Sequence, residues 1–98
     1  MRMRSLNSIL IEGELSTNPD WDRLRCVFTL RVAQQDFAGV VTHFEIPVVI
    51  AQRNLAQSVM VALKSGDAIR CVGKLSPVDD VLSIIPEHIE YNQGGKDR

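Results

Sequence analysis

Five cationic side chains recur at spacings that could put them on one surface. Arg25 and Arg31 both take the polar parity of a run that alternates apolar and polar residues, and Arg70 and Lys74 do the same in a later run. Arg53, at the start of a helix-like stretch, could extend the row. Side chains of this kind in line make phosphate contacts along a polyanion. In the competing arrangement the same cations pair with Glu12, Glu14 and Glu45 on solvated strand faces, leaving a nearly neutral wall. Parity alone leaves both open, because it does not say which strands are neighbours.

Other chemistry has less to stand on. His43 and His88 are the only histidines, and neither has carboxylates or thiols at a metal-ligand spacing. Gly13, Gly39, Gly66 and Gly73 are isolated and Gly94 and Gly95 sit near the end, so there is no phosphate loop and no nucleophile elbow. Glu12 and Glu14 share a strand face, where paired carboxylates are usually solvated. No catalysis, metal or cofactor is expected. Cys26 and Cys71 fall on the apolar parity of their runs and lack a CxxC partner, which favours two buried thiols over a disulfide or a metal pair.

The elements that must position these residues follow from periodicity. Ile9, Ile11, Gly13 and Leu15 share one face of a first strand, ended by the turn residues Thr17-Asn18-Pro19-Asp20. Cys26, Phe28, Leu30 and Val32 alternate against Arg25, Val27, Thr29 and Arg31 in a second, and Gln34 to Gly39 forms a short loop. A third, His43 to Ala51, is apolar on both parities, with Pro47 arguing for an edge or a bulge. From Gln52 to Lys64 the period becomes helical through Leu55, Val59 and Leu63, and Gly66 stops it. A fourth strand runs from Ala68 to Leu75, and Pro77 to Asp80 connects it to a fifth, Val81 to Tyr91, where Pro86 limits pairing. Gly13 and Gly73 each precede a leucine by two residues, and glycine inside a strand marks a sharp bend or a close backbone approach. The expectation is an all-β chain with one helix: a five-stranded oligonucleotide-binding (OB) barrel with the helix between strands 3 and 4.

Length and composition bound this reading. Ninety-eight residues, 45% hydrophobic, make one domain with one modest core. The domain is expected over 1–92, and 93–98 reads as a short frayed tail. No stretch approaches the roughly 20 apolar residues that span a bilayer. Met1-Arg2-Met3-Arg4 leads into strand-like alternation, not a secretory block, so the chain is expected to be cytoplasmic, with no membrane partner. A formal net charge of −1 is low for a dedicated nucleic-acid binder, although a local arginine stripe can act against a near-zero total.

Taken in order, Asn7-Ser8-Ile9-Leu10-Ile11-Glu12-Gly13-Glu14-Leu15, Asn18-Pro19, Phe28-Thr29-Leu30-Arg31-Val32, Phe44-Glu45-Ile46, Leu55-Ala56-Gln57, Leu63-Lys64-Ser65-Gly66 and Val72-Gly73-Lys74-Leu75 carry a resemblance. Over roughly residues 6 to 92 the chain resembles the bacterial single-stranded DNA-binding protein (SSB) family. Glu45-Ile46-Pro47-Val48, the short length and the missing tail are similar to a second OB family of replication restart, that of primosomal replication protein N.

The resemblance implies sequence-independent binding of single-stranded DNA in replication, recombination or repair. It also implies that Phe37 and Phe44, near positions where the family carries tryptophan, form the stacking pair. Aromatics are only 5% of the chain, and the hairpin that supplies another platform is shortened here. Losing two platforms of four, each worth about 1–3 kcal/mol, implies an affinity lower by about two orders of magnitude or more. Residues 92–98 do not resemble the acidic tail with which the family recruits partners, so recruitment by that route is not expected.

Each aromatic also has a plainer use. Phe28 is core filler, Phe44 could cap the apolar row of Ile46, Val48 and Ile50, and Phe37 beside Asp36 and Gly39 must cover something to justify its place. Trp21 lies between Asp20 and Asp22, which repel phosphate, so it packs under its loop or meets a partner subunit. Outward Leu6, Leu10 and Val27 point to a homo-oligomer, dimer or tetramer. The alternative function is an OB-fold adaptor that has lost most nucleic-acid affinity and acts with a replication or restart protein.

Overall fold

A computed structural model describes residues 6–91. The order is β1 (Ile9–Leu15), β2 (Asp20–Asp22), β3 (Arg25–Gln35), β4 (Val41–Ile50), α1 (Arg53–Ala62), β5 (Ala68–Val78) and β6 (Val81–Tyr91). Strands pair in the order β1-β5-β6-β4-β3-β2, and a further β1–β3 pairing closes five of them into a ring. A closed five-stranded sheet with one helix between its third and fourth long strands is the expected OB barrel. The sixth strand, the three-residue β2, begins at Asp20, the last of the expected turn residues, runs through Trp21 and Asp22, to which the sequence assigned no strand, and pairs with Arg25–Val27.

The two glycine bends are where the ring turns. After Gly13, β1 gains β3 as a second partner while still paired with β5: Glu14 opposes both Ala68 and Arg31, and Leu15 opposes Leu30; a Cβ at Gly13 would overlap the Arg31 carbonyl oxygen. At Gly73 the β5–β6 register slips, and a Cβ would overlap the Ile85 carbonyl and lie 2.7 Å from the Pro86 Cα. Pro86 thus sits beside the bulge, where a missing ladder donor is harmless. Pro47 opposes Thr29, whose N–H donates to Thr17 Oγ1 at 2.9 Å and whose carbonyl accepts from the Ser16 N–H at 2.9 Å. Thr29 therefore bonds away from β4, and the pair needs no donor from the proline.

The core joins both sheet layers and the helix. Cys26, Phe28, Leu30 and Val32 of β3 and Val48 and Ile50 of β4 meet Ile69, Cys71 and Ile84, with Ala56, Val59 and Leu63 from the helical stretch. Gln52 caps α1 by accepting from the Leu55 N–H, and Gly66 follows with φ of 96°. Asn7 and Asn18 are scaffold residues. The Asn7 amide donates to the Leu75 carbonyl at 2.7 Å and accepts from its N–H at 3.0 Å, while Asn18 Oδ1 accepts from the Ser65 N–H at 2.8 Å.

The strands outrun their expected ends. β3 and β4 extend to Gln35 and back from Val41, making an arm closed by Asp36–Val40. β5 continues through Pro77, which pairs with Leu82, so the β5–β6 turn is only Asp79-Asp80. Both have positive φ, 52° and 69°, as a type I′ hairpin requires. Among the described residues no helix is long and apolar enough to cross a membrane. The proposed tail lies outside the described residues.

Candidate nucleic-acid interface

Two grooves mark the outer wall. The larger, about 840 Å³, lies where β1 bridges β5 and β3, and Arg31 and Arg70 both line it with Glu12, Glu14, His43, Glu90 and Tyr91. The second, about 500 Å³, is a cleft over the outer face of β3 and β4 beneath the β5–β6 turn. In OB folds generally, that face and its flanking loops hold oligonucleotides.

The five sequence-derived cations do not share one stripe. Arg25 and Arg31 have the same strand parity, yet Arg25 lies in the cleft and Arg31 in the groove. Arg70 donates to Glu12 at 2.6 Å and approaches Glu90 at 3.7 Å, a cross-strand row over β1, β5 and β6. The Glu12 hydrogen bond, then the charges of Glu12 and Glu90, raise the Arg70 pKa above its ordinary value. Lys74 lies 3.7 Å from Glu87, outside both grooves. Arg31 and Arg53 make no ion pair among the described residues. Arg31 opposes Glu14 and Glu45 in the ladders, and Arg53 occupies the first turn of α1, where no carboxylate offsets the positive end of the helix dipole.

Arg25 acts as a clamp. Its guanidinium bonds Asp22 at 2.9 Å and reaches Asp79 at 3.5 Å, joining the β2–β3 turn to the β5–β6 turn. Asp22 is the chief cause of its raised pKa. Its Nε is buried without a hydrogen-bond partner. With Asp20, these carboxylates outnumber the one arginine of the cleft. Asp20 and Asp22 were visible beside Trp21 as phosphate-repelling. The convergence of Asp79, 54 positions from Arg25, was not, because nothing local signals it.

Phe37 and Phe44 occupy one arm, Phe37 in its loop and Phe44 in its strand β4. Phe37 is fully exposed at the tip, on a loop fixed by Asp36 Oδ1, which accepts from the N–H groups of Ala38 at 2.8 Å and Val40 at 2.9 Å. Phe44 opposes buried Val32 on the core-facing side, 39% exposed, at the end of the row through Ile46, Val48 and Ile50. Arg31 and Glu45 take the opposite side of the arm. Trp21 opposes Cys26 and is half exposed.

No family model matches the chain, and no curated protein matches it by sequence. Its structure is similar to that of the Plasmodium falciparum SSB in complex with single-stranded DNA, with a TM-score of 0.72 and 18% identity, covering 92% of this chain and 96% of that one. It is similar to a small single-stranded DNA-binding protein from Streptomyces coelicolor, with a TM-score of 0.76 and 21% identity over 93% and 96% of the two chains. The protein PriB of Ralstonia solanacearum matches with a TM-score of 0.69 and 13% identity over 91% and 100%. At such identities the common property is the fold, and it agrees with the resemblance carried by the sequence motifs.

Proposed function

We propose that this chain binds single-stranded DNA with little sequence preference, more weakly than a full SSB, in replication, recombination or repair. The observation that carries the reading is a fold shared, over 92% of its length, with an SSB solved on single-stranded DNA. Base stacking is assigned to Phe37 and Phe44 and phosphate contacts to Arg25, Arg31, Arg53, Arg70 and Lys74. A homo-oligomer, dimer or tetramer, is supported by Leu6 and Leu10, 98% and 66% exposed, beside an edge of β1 that meets β3 only at Glu14 and Leu15. Fluorescence anisotropy with a poly-dT strand of about 35 nucleotides at two salt concentrations tests binding. The expected result is a salt-sensitive affinity, micromolar or tighter, that falls about fivefold or more in Phe37→Ala. Because Phe37 buries nothing, that variant keeps wild-type stability. Affinity indifferent to salt and to Phe37→Ala would sink the assignment.

A second reading, an adaptor that works with a replication or restart protein, is favoured by one observation. Carboxylates outnumber cations in both grooves.

A further inference from the structure

We infer that the cleft over β3 and β4 docks an extended cationic segment of a protein partner, with arginine or lysine side chains spaced by apolar ones; this rests on the adaptor reading and names its partner's chemistry. The floor is mainly apolar, with Val27, Pro47, Val49 and Val81 interrupted by Thr29 and Ser83. β4 and β6 pair only at Val48 and Ile84, and the cleft is lined by Pro47 and Val49 of β4 and by Val81 and Ser83 of β6.

The lining charge is the opposite of what a phosphate chain needs. Asp20, Asp22 and Asp79 face a single cation, and in a concavity with apolar walls the residual negative charge is focused instead of dispersed. An anionic ligand could reach Arg25 only by displacing two carboxylates already bonded to it, whereas a cation meets them directly. Val81, half exposed beside the β5–β6 turn, and Val78 offer contact for the apolar spacers. Of the two turn residues, Asp79 lines the cleft.

The test uses the full chain and two acetylated, amidated peptides, one alternating leucine with arginine and one alternating leucine with glutamate. Calorimetry should register binding of the arginine peptide only, with amide chemical-shift changes at Val27, Val49 and Ser83. In an Asp20→Asn/Asp79→Asn variant the affinity should fall about tenfold, as expected for loss of two rim charges. Asparagine tolerates positive φ, so the turn survives and circular dichroism should be unchanged. Poly-dT affinity should not fall with it, since removing carboxylates beside Arg25 cannot weaken a phosphate contact; this separates the inference from strand binding. Equal binding of the two peptides, or no loss in the variant, overturns it. So does a tenfold gain of poly-dT affinity in the variant, which would make the cleft a strand path, or a change of oligomeric state, which would make it a contact between copies.

Discussion

Cys26 and Cys71 have no exposed surface and form no disulfide, and burial pushes both thiols up to about 11, with the charge of Asp20 adding to the effect at Cys26. A thiol raised in the fold stays protonated while its unfolded counterpart ionises. Between about pH 9 and 11 the unfolded state therefore binds fewer protons, and stability falls with rising pH by up to about 1.4 kcal/mol per unit for each thiol. Urea unfolding at pH 8 and 10 should show this loss, and Cys71→Ala should reduce it. A thiol reagent at pH 8 should label neither cysteine until the chain unfolds; rapid labelling of the native protein would contradict the burial. The position of these thiols was legible because strand parity is a local property. The partners of Arg25 were not, since an arginine on the outward parity looks the same whether it faces solvent or two carboxylates. Phe44 fell between: its parity pointed to the core, and only the reach of the arm beyond the barrel left it part exposed.

At the level of elements, the sheet was legible wherever sterics speak through residue type. Gly13 and Gly73 stand where any Cβ would strike a carbonyl of the next strand, so the two bends could be located from glycine alone. Helix α1 likewise followed from its apolar row and its glycine stop. Strand ends were less legible: Pro77 resembles a turn residue, yet it pairs with Leu82 while Asp79 and Asp80 take the turn. β2 escaped notice because three residues are too few to show a period. The turn itself yields a prediction. Asp80 holds φ of 69° and makes no hydrogen bond or ion pair among the described residues, so its left-handed backbone is uncompensated. Asp80→Gly relieves that cost, partly offset by glycine's greater freedom when unfolded, and should stabilise the protein by about 0.5–1 kcal/mol. A higher urea midpoint at unchanged m-value is the check; a loss of stability would mean that the Asp80 carboxylate holds the turn.

Across the whole molecule, charge distribution governs how a strand could be held. The described residues 6–91 carry seven of the eleven cations but eleven of the twelve carboxylates, so the barrel is more acidic than the net of −1 suggests. Of the five cations assigned to phosphate, Arg25, Arg70 and Lys74 are already paired with Asp22, Asp79, Glu12, Glu90 and Glu87. Each such pair is exposed and individually weak, so a phosphate can compete, but every replacement frees a carboxylate in the path of the strand. Arg31 and Arg53 carry no such penalty. Counterion release makes the outcome measurable, since each phosphate neutralised on a single strand contributes about −0.7 to the slope of log K against log salt. If all five act, the slope per subunit is about −3.5; if only the two unpaired arginines act, it is about −1.4. The pairing geometry leads us to expect the shallow slope, unchanged by Arg70→Gln and close to flat in an Arg31→Gln/Arg53→Gln variant. A steep slope that Arg70→Gln reduces by one contact would instead mean that the cross-strand row opens on binding, making Glu12 and Glu90 the residues that set how weakly this barrel holds its strand.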